Sequence, residues 1–184
     1  MNNASAAANQ IVSNESEELI LVDENDNEVG FASKSDCHDG EGILHRAFSV
    51  FVFNDDDELL LQQRAAGKRL WPLFWSNTCC SHPRRGETLD EATGRRLMQE
   101  LGFRCDLEYL YKFHYQAKYE DLGSEHELCS VFRGKCDARV TANVHEIADY
   151  RWVGRATIDA ELAHSPDRFT PWFHLEWAQL RDKI

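Results

Sequence analysis

Trp75-Ser76-Asn77-Thr78-Cys79-Cys80-Ser81-His82-Pro83 sets a thiol and an imidazole two residues apart. In an extended segment, residues i and i+2 share a face. Cys80 and His82 can therefore look into one pocket while Cys79 and Ser81 turn away. The proline ends any regular element just beyond them. A thiol can give or take a proton, and an imidazole can hold a metal ion. Two inert cysteines in a buried loop are the plainer alternative, because free cysteine is among the most buried residue types.

Other residues extend the chemical reading. Glu125 and Glu127 lie two apart in a segment with strand character, so both carboxylates leave one face while His126 and Leu128 take the other. Paired carboxylates repel unless a cation or a proton sits between them. With His38, His45 and His82 they form a donor set suited to a divalent ion such as Zn, Mn or Mg. Taken singly, each is an ordinary surface or hydrogen-bonded residue. Lys34, Arg64, Lys68 and Arg69 lie in or beside the loops that precede Cys80. Scattered surface charge is one reading; the sharper one is a cluster that holds a diphosphate, since guanidinium and ammonium groups pair strongly with phosphate oxygens.

The whole chain bounds these options. At 184 residues and 42% hydrophobic, it can bury one real core. A net charge of −12 argues against nucleic acid and anionic membranes as partners. No apolar run reaches bilayer-spanning length. The six cysteines, at 37, 79, 80, 105, 129 and 136, form no C-x-x-C pair, so neither a zinc ribbon nor a thioredoxin-type motif is read. The first sixteen residues are polar, carry Glu15 and lack Lys and Arg, unlike a secretory or transit segment. A reducing, cytoplasmic setting is expected.

The elements that must position these groups read in order as follows. Residues 1–16 form a disordered polar arm, and 17–184 form a single domain. Leu19-Ile20-Leu21-Val22 and Val29-Gly30-Phe31-Ala32 make a hairpin around an Asp/Asn turn, with Lys34 and His38 in the loop after it. HRAFSVFVF, opening at His45, is a strand whose return starts at Leu59 and ends near Arg64. Thr88 and Glu91 form a capping box and Gly102 a stop, which frames the strongest helix. Leu89, Thr93, Arg96 and Glu100 lie along one stripe of it. Arg96 and Glu100 are neighbours there, as a surface ion pair or facing a cleft. Strands follow near 107–119, 125–132 and 150–153, then a short helix at 158–162. A final helix opens at Thr170-Pro171-Trp172 and buries Trp172, Leu175, Phe173, Trp177 and Leu180. Hairpins with one helix in mid-chain and one at the end predict an α+β domain, a mixed sheet sandwiched by helices.

From 81 to 103 the chain resembles an altered Nudix box. Glu87, Arg95, Glu100, Gly102 and Phe103 match that motif. Ser81 stands for its glycine, Arg96 for its first helical glutamate and Gln99 for the second. Those helical carboxylates would hold the metal ions that direct water onto a diphosphate. Replacing two of them should cripple hydrolysis. Together with Leu44-His45-Arg46-Ala47-Phe48-Ser49, the Cys-Ser-His-Pro run, Glu125-His126-Glu127 and Thr170-Pro171-Trp172, the pattern looks like the type 1 isopentenyl-diphosphate isomerase family. The resemblance covers the chain from about Glu18 to the last helix.

That resemblance implies a small isoprenoid diphosphate as substrate and a divalent ion (Mn, Mg or Zn) on His38, His45, His82, Glu125 and Glu127. It implies Cys80 and Glu127 as acid and base, with Tyr115 beside Glu127 and Trp172 facing a cationic intermediate. Glu100 and the backbone carbonyl of Cys80 would hold Mg²⁺ on the diphosphate, and Lys34, Arg64, Lys68 and Arg96 would contact its oxygens. The chain is read as a monomer. The rival readings are a Nudix diphosphate hydrolase, disfavoured by Arg96 and Gln99, and an inert metal-binding module.

Overall fold

The strand His45–Phe53 ties the molecule together. Its aromatic and β-branched residues suit a buried strand, and all but Arg46 are buried. The computed structural model describes residues 9–183. In chain order, β1 (Glu18–Val22) and β2 (Glu28–Ser33) form the expected hairpin, followed by α1 (Lys34–His38) and β3 (His45–Phe53). Next come β4 (Leu59–Arg64), the short β5 (Trp75–Ser76) and β6 (Cys79–Ser81), and α2 (Leu89–Leu101). The chain continues through β7 (Leu107–Tyr119), β8 (Gly123–Lys135) and β9 (Ile147–Val153) to α3 (Arg155–His164) and α4 (Pro171–Leu180).

All these strands join one mixed sheet, with β8 lying parallel to β3 and β6 antiparallel to it. Side chains alternate across a strand, so β3 feeds two cores. Phe51 and Phe53 pack against Ile158, Phe173, Trp177 and Leu180 of α3 and α4. Phe48, Val50 and Val52 pack against Ala92, Leu97 and Leu101 of α2. The result is the α+β arrangement that the sequence implies, a mixed sheet between helices.

Local chemistry explains the boundaries. In α2, the Thr88 hydroxyl accepts from the Glu91 amide while the Glu91 carboxylate accepts from the Thr88 amide, and Gly102 ends the helix at φ 78°. Gly123, at φ 145°, matters for another reason: a Cβ there would lie 2.2 Å from the His38 carbonyl oxygen. Only glycine allows that approach, and it seats the end of α1 against the start of β8, two residues before Glu125.

Two expectations need correction. Lys34 and His38 are not in a loop: they bound a short helix, because the Ser33 hydroxyl accepts from the Asp36 amide and caps it. Leu175 is 46% exposed, since the stripe of α4 that meets the sheet is Trp172, Phe173, Glu176, Trp177 and Leu180. Residues 1–8 of the expected arm lie outside the described residues; from Gln10 to Ser13 its acceptors meet donors of the domain. The Gln10 carbonyl accepts from Asn143, the Val12 carbonyl from Arg96 and the Ser13 hydroxyl from Lys34. Cationic and amide donors around the cavity bind the arm's acceptors, an interaction that composition alone does not reveal.

Candidate active site

Strand register builds the centre of the site. His45 on β3 lies directly beside Glu127 on β8, and Tyr115 on β7 flanks Glu127 from the other side. Glu125 emerges two residues earlier on the same face. His38 arrives from α1 over Gly123, and His82 from the chain just past β6. One donor atom from each of His38, His45, His82, Glu125 and Glu127 lies within 4.8 Å of the others.

These five residues could hold a metal ion, and their hydrogen bonding fits one. The His45 Nδ1 faces the Ile43 carbonyl at 2.7 Å. A carbonyl only accepts, so Nδ1 carries the hydrogen and Nε2 of the neutral ring points its lone pair inward. There it stands 3.1 Å from His82 Nε2, which is itself 3.0 Å from Glu127 Oε1. His38 Nε2 and Glu125 Oε2 are 2.8 Å apart, yet both are buried without an aligned hydrogen bond. Burial opposes charge on Glu125 and Glu127. The imidazoles outweigh it and hold both carboxyls below the usual range, with His38 acting most on Glu125 and His45 on Glu127. His82 is pushed well below the normal imidazole range by burial and by the two neighbouring rings. Burial opposes charge on His45 as well, and the Glu127 carboxylate outweighs it and raises that imidazole; two carboxylates and three converging imidazoles are a divalent-cation donor set.

Cys80 lines the same cavity as Glu127. Its sulfur lies 2.7 Å from Asn77 Oδ1 and 3.4 Å from the Ser49 hydroxyl. The Asn77 amide is locked, because its nitrogen donates to the Val50 and Cys79 carbonyls. Its oxygen must therefore face the sulfur, which favours a thiol over a thiolate. Burial, with the nearby Glu176, also pushes the Cys80 pKa up. Across the cavity the Tyr115 hydroxyl donates to Glu127 Oε2 at 2.7 Å. Trp172 is fixed by a hydrogen bond from its indole nitrogen to Ser76 and lines the cavity with Tyr115.

The same cavity is also rich in cations. Lys34, Arg64, Lys68, Arg69 and Arg96 all line this cavity of about 280 Å³, despite the chain's net negative charge. Arg64 is splayed against the Leu70 and Trp71 carbonyls, with its guanidinium 5.2 Å over the Trp172 ring. Arg96 is 3% exposed and lies between Glu100 and Glu146, while Lys68 also pairs with Glu146. Removing one partner of such a buried pair costs about 3–5 kcal/mol, so this pair is not the surface ion pair considered from spacing alone. Glu100 stands behind Arg96 and takes the Cys79 thiol at 3.5 Å; it is not part of the cavity wall. In this arrangement its carboxylate accepts from the Arg96 guanidinium.

The other residues named from sequence, Cys80, Glu127, Tyr115, Trp172, Lys34, Arg64, Lys68 and Arg96, share the cavity with His38, His82 and Glu125. Glu146, Asn77 and Ser49 were not identified. Asn77 lies three residues before Cys80 in the Trp75–Pro83 stretch, but its role depends on carbonyls from two strands. Glu146 sits in a loop with no motif.

The NUDIX domain family matches residues 43–173. Solved structures agree with this at the level of the fold. A Deinococcus radiodurans protein superposes with a TM-score of 0.66 over 81% of this chain and 90% of that one, at 23% identity. A MutT protein from Methanosarcina mazei gives 0.63 over 76% and 94%, at 17% identity. Closer relatives narrow the class. Isopentenyl-diphosphate Delta-isomerase 1 of Photorhabdus laumondii is 44% identical over 89% of this chain and 94% of its own. The isopentenyl-diphosphate Delta-isomerase of Burkholderia multivorans is 44% identical over 86% and 89%. The chain belongs to the isopentenyl-diphosphate Delta-isomerase family of NUDIX-domain proteins.

Proposed function

We propose that this chain converts isopentenyl diphosphate to dimethylallyl diphosphate by moving one proton onto the substrate and another off it. The observation that carries the reading is a thiol and a carboxylate of the candidate metal cluster on the wall of one cavity that is also lined with cations. Strands and helices from Glu18 onward all contribute to the one sheet and its covers, which supports reading 17–184 as one domain.

The chemistry sets four demands. A proton must reach the terminal alkene carbon, one must leave the carbon beside the cationic centre, water must be kept out, and the diphosphate must stay anchored. The hydrogen bonds support Cys80 as the donor. Its thiol is held protonated by Asn77, and transfer of that proton to the terminal carbon leaves a thiolate and a tertiary carbocation. Glu127 is ionised and accepts the proton from the adjacent carbon, with the Tyr115 hydroxyl keeping its free oxygen in place. Double-bond migration is then complete and no group has been lost from the substrate. Trp172 offers a π face to the cation, worth about 2 kcal/mol or more in a desolvated site. Lys34, Arg64, Lys68 and Arg96 bind the diphosphate oxygens, and for Lys68 and Arg96 this means exchanging Glu146 for substrate. A divalent ion on His38, His45, His82, Glu125 and Glu127 would neutralise the carboxylates and fix Glu127 in one orientation; Mn, Mg and Zn all suit these donors.

Incubation with isopentenyl diphosphate and Mg²⁺ in D₂O, followed by NMR, tests the assignment. Deuterium should enter the terminal methyl group of dimethylallyl diphosphate. Phosphate release without that product would make the chain a hydrolase, and no change at all would leave an inert metal-binding module.

Metal binding has its own readout. Titrating chelated protein with Mn²⁺ or Zn²⁺ should raise its melting temperature, with stabilisation of about 2.7 kcal/mol at a hundred times Kd. The His82→Ala variant should lose most of that gain. An equal gain in both would overturn the ligand set.

A further inference from the structure

One buried acid has no part in the reaction described above. Glu176 interrupts the apolar stripe of α4, flanked by Phe173 and Trp177, and is fully buried. It faces Ser49 of β3 and Cys129 of β8. The Cys129 thiol donates to Glu176 Oε1 at 3.8 Å and lies 3.5 Å from the Ser49 hydroxyl, while Oε2 has no aligned partner. Burial pushes the carboxyl up to about 8; the Ser49 hydroxyl opposes that shift and the charge of Glu127 adds to it. Ser49 in turn lies 3.4 Å from the Cys80 sulfur, and the two are cross-strand partners on β3 and β6.

Packing alone calls for leucine here, because a buried carboxyl with an unsatisfied oxygen weakens a core. The acid makes sense through what it reaches. A neutral carboxyl can donate to the Ser49 oxygen, which leaves the Ser49 hydroxyl to point at sulfur while the thiol points at Asn77. Each donor in that row then has one acceptor, and the sulfur is held from both sides.

We propose that Glu176 is a positioning residue, which through Ser49 holds the Cys80 sulfur on the cavity wall. Its role in turnover rests on the isomerase reading above, but its effect on Cys80 can be measured without it.

The test compares wild type with Glu176→Leu, Glu176→Gln and Ser49→Ala. Leucine keeps the volume and removes the polar group, so melting temperature should hold or rise. Its kcat should nevertheless fall about 10- to 100-fold, the size expected for ångström-scale misplacement of a reacting group, with KM unchanged because the diphosphate cations are untouched. Glutamine is uncharged and can still donate to Ser49, so it should recover most of the lost rate. Ser49→Ala should match the leucine variant, and combining the two should lose nothing further. Full activity in Glu176→Leu, or glutamine no better than leucine, would overturn the proposal. Alkylation of Cys80 by iodoacetamide, followed by peptide mass mapping, gives the independent arm. It should change several-fold in Glu176→Leu and stay at the wild-type rate in Glu176→Gln. Equal rates in all three would sink the positioning role; a wild type that alkylates as expected but does not isomerise would sink the isomerase reading instead.

Discussion

Alanine at Cys80 should reduce kcat for isopentenyl diphosphate by about 10³-fold or more, within the upper range contributed by a general acid. KM should barely change, because the cations proposed to bind the diphosphate, Lys34, Arg64, Lys68 and Arg96, are left in place on the cavity wall. The fold should survive. Cys80 is only partly enclosed, and the loss leaves Asn77 Oδ1 and the Ser49 hydroxyl each short of one neighbour, a penalty of about 1–3 kcal/mol at most. Steady-state kinetics and a thermal melt together make the check. A rate within tenfold of wild type would remove Cys80 from the chemistry, whatever its position.

The same substitution separates proton delivery from cation protection. Without the thiol, solvent must supply the proton, a slower route than a placed donor. Cys80→Ser keeps a hydroxyl in place of sulfur but has a far higher pKa, so it should recover little. Deuterium in the product methyl would fall with the rate in both variants.

Much of this design is local and therefore legible in the chain. The capping box at Thr88 and Glu91 is spelled out over four residues, and the alternation of Glu125 and Glu127 assigns both carboxylates to one face without any tertiary information. The i, i+2 spacing of Cys80 and His82 is of the same kind. What spacing could not supply is the row His45–Glu127–Tyr115, because it depends on parallel pairing between strands some eighty residues apart. The ligand set was assembled from residue types and a family likeness; its convergence comes from register. Where polarity overrode the helical pattern, the reading failed. Leu175 looks like a core residue by type, but Glu176 takes the inward position because polar partners wait for it on β3 and β8. For Glu100 the family likeness implies a place beside a diphosphate-bound Mg²⁺, and the structure adds a partner that spacing left open. The arginine that replaces the first motif glutamate lies one turn away and captures it.

Glutamine at Glu127 should be as damaging as alanine at Cys80, and a matched change at Glu125 shows why. Both residues are buried, both face the imidazoles, and both keep their volume when the carboxylate becomes an amide. Only Glu127 also touches Tyr115. Glu125→Gln should therefore weaken metal affinity, at least by the roughly 10–100-fold typical of perturbing a metal ligand's surroundings, and excess metal should restore most of the rate. Glu127→Gln loses a ligand charge and the proton acceptor together. Its kcat should fall about 10³-fold and stay down when metal saturates the protein, as judged by the plateau of the melting temperature. An amide can still coordinate through its oxygen but cannot take a proton from carbon at neutral pH. If saturating metal returned both variants to similar rates, Glu127 would be a ligand alone and the base would have to be sought elsewhere, with Tyr115 the first group to replace. If neither recovered, the two carboxylates would act as one unit, and the division of labour between them would be wrong.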